Sequence, residues 1–494
     1  MIMEKFSSIL IILFISSSSI IAGWYVYRKQ FKSARDYYTA GASLGPITLT
    51  LGLVAAFCSY FTFFGLASFS YRFGLGALCL VGITLPSLSY MWIIFHKKTL
   101  YLSKPMGWMS MGAVYGARYG NFVRRLIPIL LLIATFPLLC AQIMATGILF
   151  KEVLGLPYWG GMFFILVVTC IYLTMGGFKG TSYAHVIQSC LFILGGIVLF
   201  GGVVQYFGGL KNIFLEIGKV RPELLSLNGK NFGYTMALTF GLGGCLGAIT
   251  LPQTFMHTFG TKDAKTFKVW VSGYSFIMTM IAIFSVITGI AGFLLFPHLQ
   301  GTDADAIWPL MSREIFSPWF GNILIGTVVG AGISTMDALL MGNAMNVIND
   351  FYKPLINPRA TEKKLIQSGR VVMIVITLLA VLFVLKPIIP IAELAQLAFS
   401  IGGMSIFALA GGYYWKRGTG AGAAASIIGG VMMLFVFTFL WPGVMTQPAP
   451  QLGGLTSFLA ALLIAGILYV VVSLFTKPPS QKVLDVFFNP ALDR

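Results

Sequence analysis

Thirteen apolar stretches, each close to twenty residues long, leave this chain almost nothing else to build with. They fall at roughly 6–27, 46–70, 76–95, 125–150, 158–176, 183–204, 233–256, 268–296, 317–348, 369–388, 391–414, 420–440 and 453–476. A helix of about 20 apolar residues crosses the hydrocarbon core of a bilayer, and only helices or closed barrels satisfy their backbone there. Over 494 residues the chain is 57% hydrophobic and 10% charged, which no water-soluble domain of this size sustains. The expected fold is an all-α integral membrane protein of about thirteen transmembrane helices in one domain, 1–476, followed by a tail at 477–494.

The net charge of +18 does not point to nucleic acid. Of the 33 Lys and Arg, 24 fall in alternate inter-span segments, and no basic face accompanies an aromatic reading surface. That asymmetry orients the chain with its N-terminus outside and its C-terminus inside. The first span is kept as a true span rather than a cleaved signal. Only Lys5 precedes it, whereas Arg28, Lys29, Lys32 and Arg35 follow. The six cysteines sit one per apolar span, without a CxxC pair, and read as small buried hydrophobes. No N-x-S/T sequon occurs, which favours a bacterial inner membrane.

Polar groups at bilayer depth are costly and mark pathways or partners. Ala331-Gly-Ile-Ser-Thr-Met-Asp337 places two hydroxyls and a carboxylate inside an apolar helix, ahead of a basic loop from Asp350 to Arg370. Ala331, Ser334 and Thr335 lie at i, i+3 and i+4, on one helix face. They either coordinate a ligand or bond back to their own helix. The second span carries Ser59, Tyr60 and Thr62 at mid-depth. Five spans later, Phe240-Gly-Leu-Gly-Gly-Cys-Leu-Gly-Ala-Ile-Thr-Leu-Pro252 has four glycines within seven residues and a proline soon after. Each glycine costs about 1 kcal/mol against alanine in a helix. The run therefore argues against continuous helix there, with close packing through small residues as the alternative. Interrupted segments at matching positions in two halves suggest a broken-helix transporter, with spans 2–6 and 7–11 as the repeats.

The motifs resemble those of the sodium:solute symporter family. They are Asp36-Tyr-Tyr-Thr-Ala-Gly-Ala-Ser-Leu-Gly45, Met175-Gly-Gly-Phe-Lys-Gly180 with His185-Val-Ile-Gln188, Leu251-Pro-Gln-Thr-Phe-Met256, and Ser334-Thr-Met-Asp337 with Asn349-Asp-Phe-Tyr-Lys-Pro354. The resemblance implies a leucine-transporter-like fold: a five-plus-five inverted repeat (about 46–204 and 233–414) with one extra N-terminal helix and two extra C-terminal helices at 420–476. It implies sodium-driven uptake of a small organic solute by alternating access, with Na⁺ as coupling ion, no organic cofactor, a surrounding lipid bilayer, and a protein functional as a monomer. Carried over by position, the sodium ligands would be the carbonyls of Ala55, Cys58 and Ala331 and the hydroxyls of Ser334 and Thr335. Solute contacts would come from Ser59, Tyr60, Thr62, Phe63, Gln142, Phe240, Gly244 and Thr250, and the aromatic crowding there suggests a snug site for a small, partly apolar solute.

Two departures matter. Where many members carry an acidic residue, this chain reads Ala184-His185, so an additional sodium site is in doubt. A contact between His185 and Asp337 would instead form a proton-sensitive coupling element, since histidine titrates near neutrality. Phe57 stands where a proline-transporting branch has an acid, and an aromatic cannot neutralise an amine. Glu393 is expected near the interface and solvated, and His96, His257 and His298 at span ends without metal-ligand spacing. No catalytic or ATP-binding motif is present, so enzyme and pump readings have no support. The alternatives that remain are a proton-coupled symporter of the same fold, a transporter-like sensor working through a separate partner, a channel, and a carrier with parallel repeats.

Overall fold

The computed structural model describes residues 2–28, 33–227, 232–386, 389–443, 445 and 447–488. Lys29, Lys32, the end of the expected tenth span at 387–388 and the tail residues 489–494 lie outside them. Among the described residues the fold is helical, with two isolated β-bridges, Leu44 to Thr261 and Ala449 to Leu455.

Numbering the apolar helices in chain order, α1 is Ile2–Tyr27, α2 Pro46–Phe57 and α3 Phe61–Phe73; α4 is Gly76–Met106, α5 Asn121–Leu154 and α6 Tyr158–Tyr206. There follow α7 Tyr234–Thr250, α8 Pro252–Gly260, α9 Ala264–Leu295, α10 Pro318–Ile356, α11 Glu362–Phe383, α12 Ile391–Tyr414, α13 Gly420–Leu440 and α14 Ser457–Phe475. Among the described residues nine helices are long and apolar enough to cross a membrane, eleven if each bent pair is one span. The two other expected spans show shorter apolar helices, Leu10–Val26 and Tyr158–Ile171.

Some boundaries differ from expectation. The segment 176–182, read as a loop, holds no long loop: α6 is two helices that meet at a break at Gly177 (φ 55°), a backbone conformation that favours glycine, and 178–182 already belong to the second. The basic loop begins later than Asp350, because the chain stays helical through Ile356 and resumes at Glu362. Thr361 caps that new start by accepting from the Lys364 N–H.

The small residues of α1 have a packing cause. A Cβ on Gly176 would sit 2.8 Å from Gly23 Cα, so the two helices meet backbone to backbone. Gln188 of α6 donates to Ser19 of α1 at 2.8 Å. Helix α10 runs through the middle of the bundle, with nearly every residue from Gly321 to Asn346 buried. A helix apolar on all sides suits that position, and it turns every polar group of α10 toward protein. Of the cysteines, Cys58, Cys140 and Cys245 are buried, Cys79 and Cys170 half-buried, and Cys190 exposed on the outer face, which is apolar surface rather than core.

Two helices are broken. The α2–α3 pair bends by 59° and the α7–α8 pair by 48°. The second break is not in the glycine run, which forms continuous helix. It falls at Leu251, held extended at φ −73°, ψ 150° by the proline that follows. The glycines are there for close approach. A Cβ on Gly247 would lie 2.2 Å from the Phe399 carbonyl oxygen, and one on Gly243 would lie 2.2 Å from Gln396 Nε2.

Candidate functional site

At the first break, Cys58 leaves helical geometry (φ −75°, ψ 89°) and Thr62 N–H bonds to Ser59 O rather than to the Cys58 carbonyl. The turn that follows, Phe61–Gly65, is widened to i→i+5 bonding, a distortion common at functional sites. The Ala55 carbonyl, one turn before the break, is reached from α10. Ser334 Oγ lies 2.8 Å from it and 3.0 Å from Ala331 O, and Thr335 Oγ1 lies 3.2 Å from it. Four uncharged oxygens from two helices therefore converge in a fully buried place. Each hydroxyl now donates to a carbonyl. Rotated about its C–O bond, each would free a lone pair for a ligand.

One turn on, Asp337 Oδ2 stands 3.6 Å from His185 Nε2 of α6, both side chains buried. The contact weighed in the sequence therefore exists as an ion-pair distance. His257 of α8 closes on the same region: its Nε2 would lie 3.4 Å from a Cβ on Gly52, and its Nδ1 is 2.8 Å from Gln253 O. His96 is structural, bracketed by Thr258 Oγ1 at 2.7 Å and Ile249 O at 2.9 Å. Among the described residues no group of three or more His, Cys, Asp or Glu could hold a metal ion.

On the other side of the α2–α3 break lies a cavity of about 70 Å³ whose walls include Phe57, Phe61, Thr62, Phe240, Gly244 and Gln396. Among the described residues no charged side chain lines it. Of the solute contacts expected from the sequence, Thr62, Phe240 and Gly244 face it, and the other five are turned elsewhere. Ser59 Oγ accepts from Phe61 N–H at the break. Tyr60 N–H is held by Gln142 Oε1 at 3.2 Å, and its hydroxyl accepts from Thr146. Phe63 packs edge-on to Phe192 and Trp308. Thr250 donates to Gly402 O at 2.9 Å, tying α7 to α12. The bend sets the rotation of α3, so that Phe61 and Thr62 face the cavity while Ser59, Tyr60 and Phe63 face protein.

Sequence reasoning missed Thr84, Tyr274, Gln396 and Phe399, which also line the cavity. The one usable signal was Gln396, a lone amide in an apolar span. Glu393 is not simply solvated. It forms a two-pronged ion pair with Arg72 of α3 (2.9 and 3.3 Å), both side chains under a fifth exposed. Beside it, Asp305 Oδ2 accepts from Ile391 N–H, the first residue of α12, at 3.1 Å. At the opposite end of the bundle Asp350 takes Arg124 Nε at 2.9 Å and Ser110 Oγ at 3.0 Å.

Residues 37–430 match the model of the sodium:solute symporter family. The chain is 25% identical over 433 residues to the sodium/pantothenate symporter of Escherichia coli (strain K12), spanning 85% of this chain and 88% of that protein. It is 25% identical over 493 residues to the high-affinity proline transporter PutP of Bacillus subtilis (strain 168), spanning 95% and 98%. Its fold superposes on a substrate-bound, outward-open Na⁺-coupled sialic acid symporter with a TM-score of 0.78 at 17% identity, covering 96% of this chain and 99% of that one. A nucleobase-cation-symport-1 family transporter in a closed conformation follows at 0.57 and 14% identity, over 93% and 99%. With a broken helix on each side of an uncharged cavity, and a match that covers most of its length, the chain belongs to the sodium:solute symporter family and is a secondary active, sodium-coupled symporter of a small-molecule solute.

Proposed function

We propose that the coupling sodium sits between the broken helix and α10, on the carbonyls of Ala55, Cys58 and Ala331 and the hydroxyls of Ser334 and Thr335. The observation that carries this is the convergence of four oxygens, with Ser334 Oγ within hydrogen-bond distance of Ala55 O and Ala331 O, and Thr335 Oγ1 within hydrogen-bond distance of Ala55 O. Dipolar oxygens from an unwound segment and a facing helix suit a bare monovalent cation. The solute occupies the cavity at the same break, so ion and solute share the Phe57–Phe61 segment. Filling either site biases the same hinge, which is how a gradient of one drives movement of the other. Residues 46–204 and 233–414 act as the two repeats, with α1, α13 and α14 peripheral.

The charge asymmetry supports an orientation with the N-terminus outside and the C-terminus inside, and the same reading takes the protein as a bacterial inner-membrane protein functional as a monomer in lipid. In that orientation the Arg72–Glu393 pair and Asp305 lie at the outer end, and the Arg124–Asp350 pair at the inner end. The five oxygens proposed for the ion site all come from one chain.

The 3.6 Å contact between His185 and Asp337 favours a second, proton-linked element beside the sodium site. Uptake of a labelled panel of small carboxylates, amino acids and sugars into proteoliposomes, with and without a Na⁺ gradient, tests the main reading. Gradient-independent flux indicates a channel, and flux driven by H⁺ alone removes the sodium assignment. His185→Ala with an unchanged pH profile of uptake removes the proton-linked element.

A further inference from the structure

The cavity's polar groups with a fixed hydrogen-bonding role can only accept. Gln396 donates its amide N–H₂ to Thr239 O at 3.0 Å and to Ser400 Oγ at 3.1 Å. A backbone carbonyl cannot donate, so the contact with Thr239 fixes which end of the amide is nitrogen. The remaining oxygen, Oε1, has lone pairs and no hydrogen. Thr84 directs its single hydroxyl hydrogen to Gly241 O at 3.2 Å and likewise keeps only lone pairs. The two side chains are seated by neighbouring glycines of α7. A Cβ on Gly243 would sit 2.2 Å from Gln396 Nε2, and one on Gly244 would sit 3.0 Å from Thr84 Oγ1. The hydroxyls of Thr62 and Tyr274 also line the cavity and can play either role. Most of the remaining wall is aromatic and aliphatic.

The geometry points to Gln396 and Thr84 as specificity-determining residues that select a small solute by its hydrogen-bond donors, an N–H or O–H, with an apolar body against the phenylalanines. This rests on the reading of the cavity as the solute site. A carboxylate placed at this wall would meet the lone pairs of Gln396 Oε1 and Thr84 Oγ1 with no cationic side chain to offset the repulsion. An acidic solute therefore turns its carboxylate away from Gln396. The volume of about 70 Å³ sets the size. One water needs about 10–15 Å³ on this scale, so the cavity takes a body of only a few non-hydrogen atoms.

The test uses two isosteric probes, 2-pyrrolidinone and γ-butyrolactone, which differ in having a ring N–H or a ring oxygen at the same place. Sodium-dependent thermal stabilisation of the purified full chain is titrated with each, in wild type, Gln396→Met and Thr84→Val. A buried acceptor left unpaired by the lactone weakens binding by about tenfold or more relative to the lactam. Gln396→Met removes the unpaired acceptor and erases that preference by raising lactone binding toward that of the lactam, a gain that misfolding cannot produce. Gly243→Ala, which displaces the amide while both acceptor side chains remain in the sequence, reduces the preference. Equal titration by the two probes, failure of both to bind wild type, or a preference retained in Gln396→Met overturns the proposal. The labelled panel in proteoliposomes keeps the two readings apart. If no solute moves with sodium, the transport reading itself fails; if solutes move but donor-bearing ones are not preferred, only this inference fails.

Discussion

Removing the hydroxyls of Ser334 and Thr335 separates an ion site from a mere tie between helices. Ser334 Oγ is 2.8 Å from Ala55 O and 3.0 Å from Ala331 O, so Ser334→Ala deletes one of the four converging oxygens and leaves the other three. Thr335→Val deletes another with almost no change of shape. An uncharged group bonded to a charged one contributes about 1.5–3 kcal/mol, and each 1.4 kcal/mol is tenfold in affinity. Each substitution should therefore raise the half-saturating Na⁺ concentration by roughly 10- to 150-fold. The assay is the initial rate of uptake into proteoliposomes over a Na⁺ series, with ionic strength held by choline. The maximal rate should return at saturating Na⁺, because the bundle is intact. By linkage, solute affinity should fall with the substitution at low Na⁺ and recover at high Na⁺. If the hydroxyls only tie α10 to α2, the loss is the net worth of a hydrogen bond, about 0.5–1.5 kcal/mol of stability. A lowered melting temperature with an unmoved Na⁺ dependence would refute the ion site.

Other perturbations test the surrounding frame. Burial pushes the Asp305 carboxyl up to about 7, with the Ile391 N–H and Arg72 pulling the other way. The folded state then holds this proton more tightly than the unfolded state. Stability should decline as pH rises from about 4 to about 7 and level off above, by up to a few kcal/mol; Asp305→Asn should flatten a melting-temperature profile over that window. Glu393→Ala leaves Arg72 largely buried without its partner, and should destabilise by about 1–3 kcal/mol. Adding Arg72→Met should recover part of that loss in a double-mutant cycle. Gly247→Ala forces a Cβ to within 2.2 Å of Phe399 O, and overpacking of this kind should cost about 1–3 kcal/mol in denaturation.

The class of the protein was legible in its sequence because the bilayer imposes a local rule. Each span must be apolar over its own length, whatever its neighbours do, and the long apolar runs declare it. The grouping of Ala331, Ser334 and Thr335 was legible for the same reason, since i, i+3 and i+4 share a face in any helix. The proline at 252 also broke its helix locally, through the residue before it. Tertiary structure decided the rest. The run from Gly241 to Gly247 is helical although propensity argues against it, and Phe399 and Gln396 come close enough to require glycine there, so tertiary contact decided between the break and the close packing that the sequence offered. Tyr60, Phe63 and Thr62 are near neighbours in sequence, yet only Thr62 faces the cavity, because the 59° bend sets how α3 is rotated. Arg72 meets Glu393 across 321 residues, and Gln396 exposes its acceptor only because Thr239 holds its donor. Periodicity and length are properties of one helix. The face that a broken helix turns to its partners is fixed by packing between helices distant in the chain, and the ion site and cavity are built from those faces.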